Sequence, residues 1–245
     1  MTARATVSVR QLRAAVTGLV GFAAAEEQAL LAARDSSEPG SAAHWAAAPL
    51  VTHNTEFKQH QVERLRAISS GAVPPDFGEI DHAAPDVYRG YASQEAALVA
   101  DDSWQTAGAL IAGLRGVTDD DLLDPARNPW LRGRQLWLQV IVRGFWHPTG
   151  HLGDYYLAHQ QPDLAVDLAT RAVASAAALD APDPARGMAS YNLACAQARA
   201  GQLDASADAI AEAIARNPDV RANAARDPDL AELRDTGRLA ALLAT

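Results

Sequence analysis

The spacing of apolar residues limits this chain to an all-α fold more strongly than any other feature of the sequence. Over residues 7–33, leucine, valine and alanine recur every three or four positions, which is the period of one helix face. Similar segments follow at about 52–69, 93–115 and from residue 134 onwards. Alanine is very frequent, and β-branched residues are sparse outside a few runs. We therefore predict an all-α protein that begins with four long helices.

Two long connections interrupt the four predicted helices. The segment 71–90 contains a Pro74–Pro75 pair, which excludes helix because proline lacks the backbone N–H and crowds the preceding turn. The segment 116–133 is rich in aspartate, proline and glycine, which are typical of turns and loops. Four long helices joined in this way fit an antiparallel four-helix bundle, which we place at residues 1–160.

The remaining residues, 161–245, are predicted to form a unit of short alanine-rich helices. The stretch "MASYNLACAQARAGQLDASADAIAEAIARNPDV" resembles a tetratricopeptide repeat, with small residues at the packing positions and Gly201 at the turn. This resemblance implies a helix pair at about 186–200 and 203–216. A weaker copy is indicated from "GDYYLAHQQ" onwards, which would include the end of the fourth helix. So few repeats cannot bury a core alone, and we expect this extension to dock on the bundle.

Composition and charge narrow the classes of function. The formal net charge is −9 and the sequence pI about 5.2, which argues against nonspecific nucleic-acid binding because that needs a positive surface. No stretch approaches the roughly 18 apolar residues of a membrane-spanning helix, and the N-terminus lacks the apolar core of a signal peptide. The single cysteine, Cys195, excludes a disulfide framework. We therefore expect a cytoplasmic protein without a nucleic-acid or membrane partner.

Two histidines four residues apart make "RGFWHPTGHLGDYY" the most distinctive segment of the chain. In a continuous helix, His147 and His151 lie one turn apart on the same face and could bind one metal ion. Pro148 allows two interpretations: a kinked but continuous helix, or a new helix that turns the imidazoles apart. In the first interpretation, Gly144 relieves crowding around Pro148, and Gly150 leaves space for a metal ion and a substrate beside the backbone.

A third metal ligand would have to come from a facing helix. His53 is the best-positioned candidate, in the first turn of a helix that we expect to begin with Thr52 as its N-cap. His60 is the next candidate, because seven residues return to nearly the same helix face. Glu56, in the first turns of that helix, is either a general base near the metal or an acidic residue that favours the helix N-terminus.

Three further residues have candidate roles. Arg143 lies one turn before His147 and could bind a substrate carboxylate through paired hydrogen bonds, with a structural ion pair as the alternative. Asp154 follows His151 by three residues and could orient that imidazole, or could simply lie on the solvated helix surface. Cys195 has apolar neighbours and no adjacent basic residue, so we predict a buried packing role and not a nucleophile.

The histidine spacing resembles that of the DinB-like superfamily, also called DinB/YfiT-like. A histidine in "THNTEFKQHQ", followed about 94 residues later by His-x-x-x-His in "GFWHPTGHLGDYY", carries the resemblance over about residues 7–160. It implies a four-helix bundle in which His53, His147 and His151 bind a divalent metal ion, with positions left open for water or substrate. It also implies a low-molecular-weight thiol as cosubstrate, because the superfamily includes bacterial thiol S-transferases.

These expectations leave three functions open. The first is a metal-dependent transferase that adds a thiol to an electrophilic small molecule, or isomerises it, with a role in detoxification. Zinc is the expected ion, with nickel, iron or manganese as alternatives. The second is a hydrolase or self-resistance protein that acts on a reactive natural product, with water in place of the thiol. The third is a non-enzymatic binding or scaffold protein that uses its repeats. A homodimer is compatible with all three.

Overall fold

Helices make up all the regular structure that the computed structural model describes, namely in residues 8–34, 40–41, 44–78, 85–92 and 94–244. The all-α prediction is confirmed for these residues. In chain order the helices are α1 (Val9–Ala33), α2 (Ala47–Ser69), α3 (Pro85–Ala92), α4 (Ala96–Gly116), α5 (Asp119–Leu123), α6 (Leu136–Ile141), α7 (His147–Ala158), α8 (Pro162–Ala178), α9 (Asp183–Arg199), α10 (Leu203–Arg216), α11 (Arg221–Ala224), α12 (Ala231–Asp235) and α13 (Arg238–Leu243). None of them is long and apolar enough to cross a membrane.

The first helix agrees with its predicted extent. Ser8 caps α1: its hydroxyl accepts a hydrogen bond from the Gln11 backbone N–H, and the Gln11 side chain accepts one from the Ser8 backbone. The buried face contains Leu12, Val16 and Leu19 at three- and four-residue spacing. Val7, the predicted first residue, lies outside the described residues.

The predicted start of the second helix at Thr52 is wrong. The helix begins at Ala47 because Pro49 lies in its first turn, where the backbone N–H has no intrahelical partner and proline is tolerated. The Thr52 hydroxyl donates to the Ala48 carbonyl, 3.0 Å away, and caps nothing. His53 therefore lies in the second turn and Glu56 in the third, so Glu56 is too far along the helix to favour its N-terminus.

The connection predicted at 71–90 is only partly a loop. Residues 72–78, which include the two prolines, are non-helical as expected. The end of the predicted loop belongs to α3, which starts at Pro85, a residue type favoured at the first helical position. The predicted start of the next helix at Ser93 lies outside the described residues, and α4 ends at Gly116, one residue later than predicted.

One apolar core joins the long N-terminal helices to helices that follow residue 160. Leu19 of α1, Leu65 of α2 and Leu110 of α4 belong to the same buried cluster as Ala172 of α8 and Ala185 of α9. A second cluster fills the space among α9, α10 and the short C-terminal helices. Because the first core crosses residue 160, the division of the chain at that point stays a prediction.

Helices α7, α8 and α9 all end in the same way. Each is followed by a residue with positive φ: Gln160 (59°), Asp180 (47°) and Gly201 (75°). The next backbone N–H then donates back to a carbonyl of the helix, as from Gln202 to Gln197 over 2.8 Å. This is the Schellman type of helix ending, and it turns the chain back sharply. Gly201 thus has the left-handed conformation expected of it, between α9 and α10.

Candidate metal centre

The three histidines predicted as metal ligands converge on one point. The Nε2 atom of His53 lies 3.1 Å from Nε2 of His147 and 3.2 Å from Nε2 of His151. One ring nitrogen from each residue falls within 4.8 Å of the others, so the group can hold a metal ion. His53 is only 2% exposed, and the two histidines of α7 are half-buried at the site. We call His53, His147 and His151 the histidine triad.

The separations within the triad fit a single bound cation. Nitrogen atoms that bind one zinc ion at about 2.0–2.1 Å lie about 2.9 Å apart at octahedral angles and about 3.4 Å apart at tetrahedral angles. The two measured separations, 3.1 and 3.2 Å, fall between these limits. The three histidines would hold such an ion through three neutral nitrogen ligands, and an ion with only three protein ligands has room for water or substrate.

Hydrogen bonding among the imidazoles explains this geometry less well than a cation does. A neutral imidazole carries one N–H, and one ring nitrogen either donates or accepts. Nε2 of His53 faces two other Nε2 atoms at hydrogen-bond distance. A proton on that nitrogen can be shared with only one of them, and the other contact then brings nitrogen atoms together unfavourably. A cation at the centre attracts all three lone pairs at once.

A π-helical turn keeps the fourth long helix continuous through Pro148. Residues Val142–Trp146 form this turn between α6 and α7, and the His147 backbone N–H donates to the Val142 carbonyl, five residues earlier. The wider turn makes room for the proline ring. The imidazoles of His147 and His151 therefore stay on one face, with ring centroids 4.3 Å apart. The alternative, a new helix that turns them apart, is wrong.

The two glycines of this segment have different surroundings. A Cβ on Gly144 would lie 2.7 Å from Val20 and 2.8 Å from Leu110, so this glycine permits close packing of the π turn against α1 and α4. Gly144 is buried in the core, and its relief of crowding around Pro148 stays a prediction. Gly150 has ordinary room, 3.5 Å from the Asn192 side chain, and lines the cavity described below together with His147 and His151.

Side chains of α7 and α9 bond the carbonyl groups next to the proline. The Thr149 hydroxyl lies 2.8 Å from the Phe145 carbonyl and 3.1 Å from the Trp146 carbonyl. The Asn192 amide, from α9, donates to the Trp146 carbonyl at 3.0 Å and to the Thr149 hydroxyl at 3.1 Å. A residue 46 positions away in the chain thus supports the turn that carries His147.

Aromatic rings enclose the buried side of the triad. The His53 ring lies 5.3 Å from Trp45, 4.9 Å from Phe57 and 5.9 Å from Tyr91, measured between ring centroids. These rings pack around the His53 imidazole and hold its orientation. Sequence reasoning missed this enclosure, because Trp45 precedes the predicted start of the helix and Tyr91 lies between the predicted loop and the next predicted helix.

Asp154 lies beside His151 and connects it to the C-terminal helices. Its carboxylate is 3.6 Å from His151 Nδ1, the ring nitrogen that faces away from the triad. Arg199 of α9 donates to the same carboxylate at 2.6 Å and lies 3.5 Å from Asp229. A carboxylate behind a metal-ligating imidazole favours the tautomer that leaves Nε2 available for the metal. The sequence suggested Asp154 for this role, whereas Arg199 was missed.

Glu56 and His60 lie on α2 next to His53 but outside the triad. The Glu56 carboxylate accepts a hydrogen bond from the Tyr91 hydroxyl and lies 3.9 Å from His60 Nε2. The His60 ring stacks on Phe77 with centroids 3.8 Å apart, and burial is the main cause that lowers its pKa. The third ligand position belongs to His53, and a general-base role for Glu56 stays a prediction.

Arg143 lies near the triad without the structural ion pair that was its alternative role. Its guanidinium lies 4.4 Å from the centroid of the Phe57 ring, which is in turn 4.6 Å from the His147 ring. Among the described residues no carboxylate pairs with Arg143. The guanidinium is therefore held by an aromatic face while its N–H donors remain available.

A cavity of about 450 Å³ opens between α6–α7 and the C-terminal helices, and two members of the triad, His147 and His151, lie in its wall. Its lining includes Arg143, His147 and His151 on one side and Tyr191 and Cys195 on the other. The Tyr191 hydroxyl donates to Asp227 at 2.6 Å. Burial raises the pKa of the Cys195 thiol well above its usual value, which favours the thiol over the thiolate.

Comparison with protein-family models, curated proteins and solved structures finds no match to this chain. The function of this chain is therefore inferred from the residues and geometry of the site. The likeness to the DinB-like superfamily remains an expectation based on the histidine pattern.

Proposed function

We propose that this chain is a divalent-metal-dependent enzyme of the DinB-like type that acts on a small molecule. In this proposal residues 1–160 form the DinB-like four-helix bundle, and residues 161–245 form a tetratricopeptide-like extension that closes one side of the site. The observation that carries the proposal is the convergence of three imidazole Nε2 atoms beside a cavity large enough for a small substrate, with His147 and His151 in the cavity wall.

The roles of the protein groups follow from their positions. His53, His147 and His151 would hold a divalent ion, zinc first and nickel, iron or manganese as alternatives. Such an ion lowers the pKa of a bound water or thiol, and three neutral ligands leave its positive charge undiminished. Asp154 orients His151 from behind, and Arg199 fixes Asp154.

The nucleophile of the proposed reaction is a low-molecular-weight thiol from solution. The chain's own Cys195 is protonated because burial raises the pKa of its thiol. The external thiol would lose its proton to the Glu56 carboxylate, and its sulfur would form a bond to one carbon of an electron-poor carbon–carbon double bond of the substrate. The π electron pair of that double bond would move to the neighbouring carbon, which would take up the proton from Glu56. Tyr91 stays protonated beside Glu56, since burial and this hydrogen bond raise the pKa of its hydroxyl, and it holds the carboxylate in place.

A thiol-consumption assay tests this function. Zinc-loaded full-length protein is mixed with a low-molecular-weight thiol and a panel of electrophiles, with and without a chelator. We expect thiol loss that the chelator abolishes, that His151→Ala abolishes, and that Glu56→Gln lowers by roughly 10²-fold or more. His159→Ala is the matched control, because His159 lies on the same helix and packs on Tyr155 away from the triad.

The same assay separates the other candidate functions. Loss of substrate that the chelator abolishes, without loss of thiol, would indicate a hydrolase or a self-resistance protein instead of a transferase. Thiol loss that is equal with and without chelator would contradict a metal-dependent reaction. Stoichiometric metal with no turnover of any substrate would favour the non-enzymatic binding protein.

A further inference from the structure

Guanidinium groups gather beside the cavity whose wall includes His147 and His151. Arg134 and Arg143 both line it, and Arg64 of α2 is close enough to act electrostatically on Arg143. The protein has 30 acidic residues and 21 lysines and arginines, so its average composition does not favour a cluster of positive charge. Like charges held together are unfavourable unless something negative binds between them.

Arg143 differs from the arginines that form ion pairs. Several arginines pair with carboxylates, among them the pairs Arg13–Asp119, Arg171–Glu26, Arg199–Asp154, Arg216–Asp183 and Arg238–Asp204. Within the described residues Arg143 has neither an ion pair nor a hydrogen bond, although its side chain is partly buried. Burial, then the charges of Arg64 and Arg134, lower the pKa of Arg143, so the charged form is poorly stabilised by the protein itself.

The position of Arg143 suits a planar anion. Its guanidinium lies over the Phe57 ring, with the central carbon 4.4 Å from the ring centroid, and its paired N–H donors are left for a ligand. A carboxylate accepts two parallel hydrogen bonds from the edge of a guanidinium. Phe57 also contacts His147, so this guanidinium lies near the triad.

Acidic groups on the other side of the cavity are already engaged. Asp154 and Asp229 lie against Arg199, and Asp227 accepts from Tyr191. The arginine end is therefore the part of the cavity where charge lacks a protein partner. We propose that the substrate is a small molecule with a carboxylate or another oxyanion group, which Arg143 binds in bidentate fashion and Arg134 binds at the rim. This substrate class rests on the proposed function, in which the reactive part of the same molecule lies at the triad.

Calorimetric titration with benzoate, and with benzamide as its neutral analogue of equal shape, tests the anion site. The zinc-loaded wild type should bind benzoate at least about tenfold more tightly than benzamide. Arg143→Met should remove this preference, and Arg143→Lys should keep only part of it because the paired donors are lost. Arg134→Met, at an exposed position, should lower the affinity for benzoate by a few-fold. Arg115→Met on exposed α4 surface is the matched control and should leave benzoate binding unchanged.

A second arm separates the anion site from the metal. In His151→Ala, benzoate should still bind with a preference over benzamide that depends on Arg143. Equal binding of benzoate and benzamide to the wild type would overturn the inference. Benzoate binding that His151→Ala abolishes and Arg143→Met leaves intact would also overturn it, because the anion would then be a metal ligand only. A wild type that binds no zinc but retains the Arg143-dependent preference would refute the proposed function and leave the anion site standing.

Discussion

Two buried polar clusters each include one residue of α2, and these two residues lie within two turns of each other. The clusters differ in how completely neighbouring protein groups balance their charges and hydrogen bonds. His53 is 2% exposed and belongs to the triad, whereas Lys58 is 1% exposed and lies deeper among the long helices. The Lys58 ammonium is 2.5 Å from the Glu27 carboxylate and 3.2 Å from the Ser103 hydroxyl, which itself donates to Glu27 at 2.7 Å. Opposite charges and matching donors therefore neutralise the Lys58 cluster internally.

The triad has no such internal balance. It consists of three imidazoles, and none of them carries a charge opposite to that of the others. A neutral imidazole has only one N–H, so three of them cannot all donate to and accept from one another at the point where they meet. A buried polar cluster is therefore better judged by how its charges and donors are matched than by its polarity. The Lys58 cluster contains its own counter-charge and we interpret it as structural, whereas the triad brings together three nitrogen atoms that could hold a metal ion and we interpret it as a binding site.

The largest expected effect comes from breaking the self-balanced cluster. Lys58→Met leaves the Glu27 carboxylate buried without its counter-charge, and we expect the free energy of unfolding to fall by about 3–5 kcal/mol. Denaturant unfolding followed by circular dichroism measures this loss. The double variant Glu27→Leu/Lys58→Met should recover much of it. A loss below about 1 kcal/mol in Lys58→Met would remove the contrast between the clusters.

Metal addition should stabilise the protein through the triad alone. At a free zinc concentration about 100 times the dissociation constant, the free energy of unfolding should rise by about 2.7 kcal/mol, because zinc binds the folded chain. His151→Ala should show no such rise, and Lys58→Met should show the full rise from its lower baseline. An equal response of wild type and His151→Ala in the same unfolding experiment would place the zinc elsewhere.

The carboxylate behind the triad should affect metal affinity more than stability. Asp154→Asn removes the negative charge that faces His151 Nδ1, and we expect zinc affinity to fall by about 10–100-fold. Competition with a chromophoric chelator measures this affinity. Asp167→Asn is the control, since Asp167 is an exposed partner of Arg171 on α8. If both variants bind zinc like the wild type, Asp154 has no role in orienting the imidazole.

The smallest expected effect is the pH dependence of stability at Asp229. Burial, then the charge of Asp154, raises the pKa of Asp229 from 3.8 to about 6. The folded protein therefore binds more protons than the unfolded chain between these values, and stability from this group falls as pH rises through about 4 to 6. Asp229→Asn should gain stability relative to wild type between pH 4 and pH 7, by about 1 kcal/mol or less after solvent screening. A relative stability independent of pH would contradict the raised pKa.

The local signals in the sequence account for the helices and for the triad. Apolar periodicity predicts α1 and α4 to within a few residues, and the four-residue spacing of His147 and His151 predicts a shared face. The start of α2 was missed because Pro49 is tolerated in a first turn that the sequence alone does not distinguish from a loop. The helix at Pro85 was missed for a similar reason.

Features that depend on tertiary contacts could not be predicted. The π turn before Pro148 depends on how closely Gly144 packs against Val20 and Leu110, which helix period does not reveal. Asn192 and Arg199 reach α7 from more than 40 residues away in the chain. Lys58, the chain's one lysine, would be expected at the surface by composition, and only the packing of three helices shows that it is buried.

Native mass spectrometry of the purified full-length protein after zinc addition and buffer exchange tests the central claim most directly. We predict one zinc ion per chain in the wild type and in His159→Ala, and no stoichiometric zinc in His151→Ala, with circular dichroism showing the same helicity in all three. The triad would then be a metal site that needs all of its imidazoles. Equal zinc content in wild type and His151→Ala would contradict the account, because the converged imidazoles would not be what binds the metal.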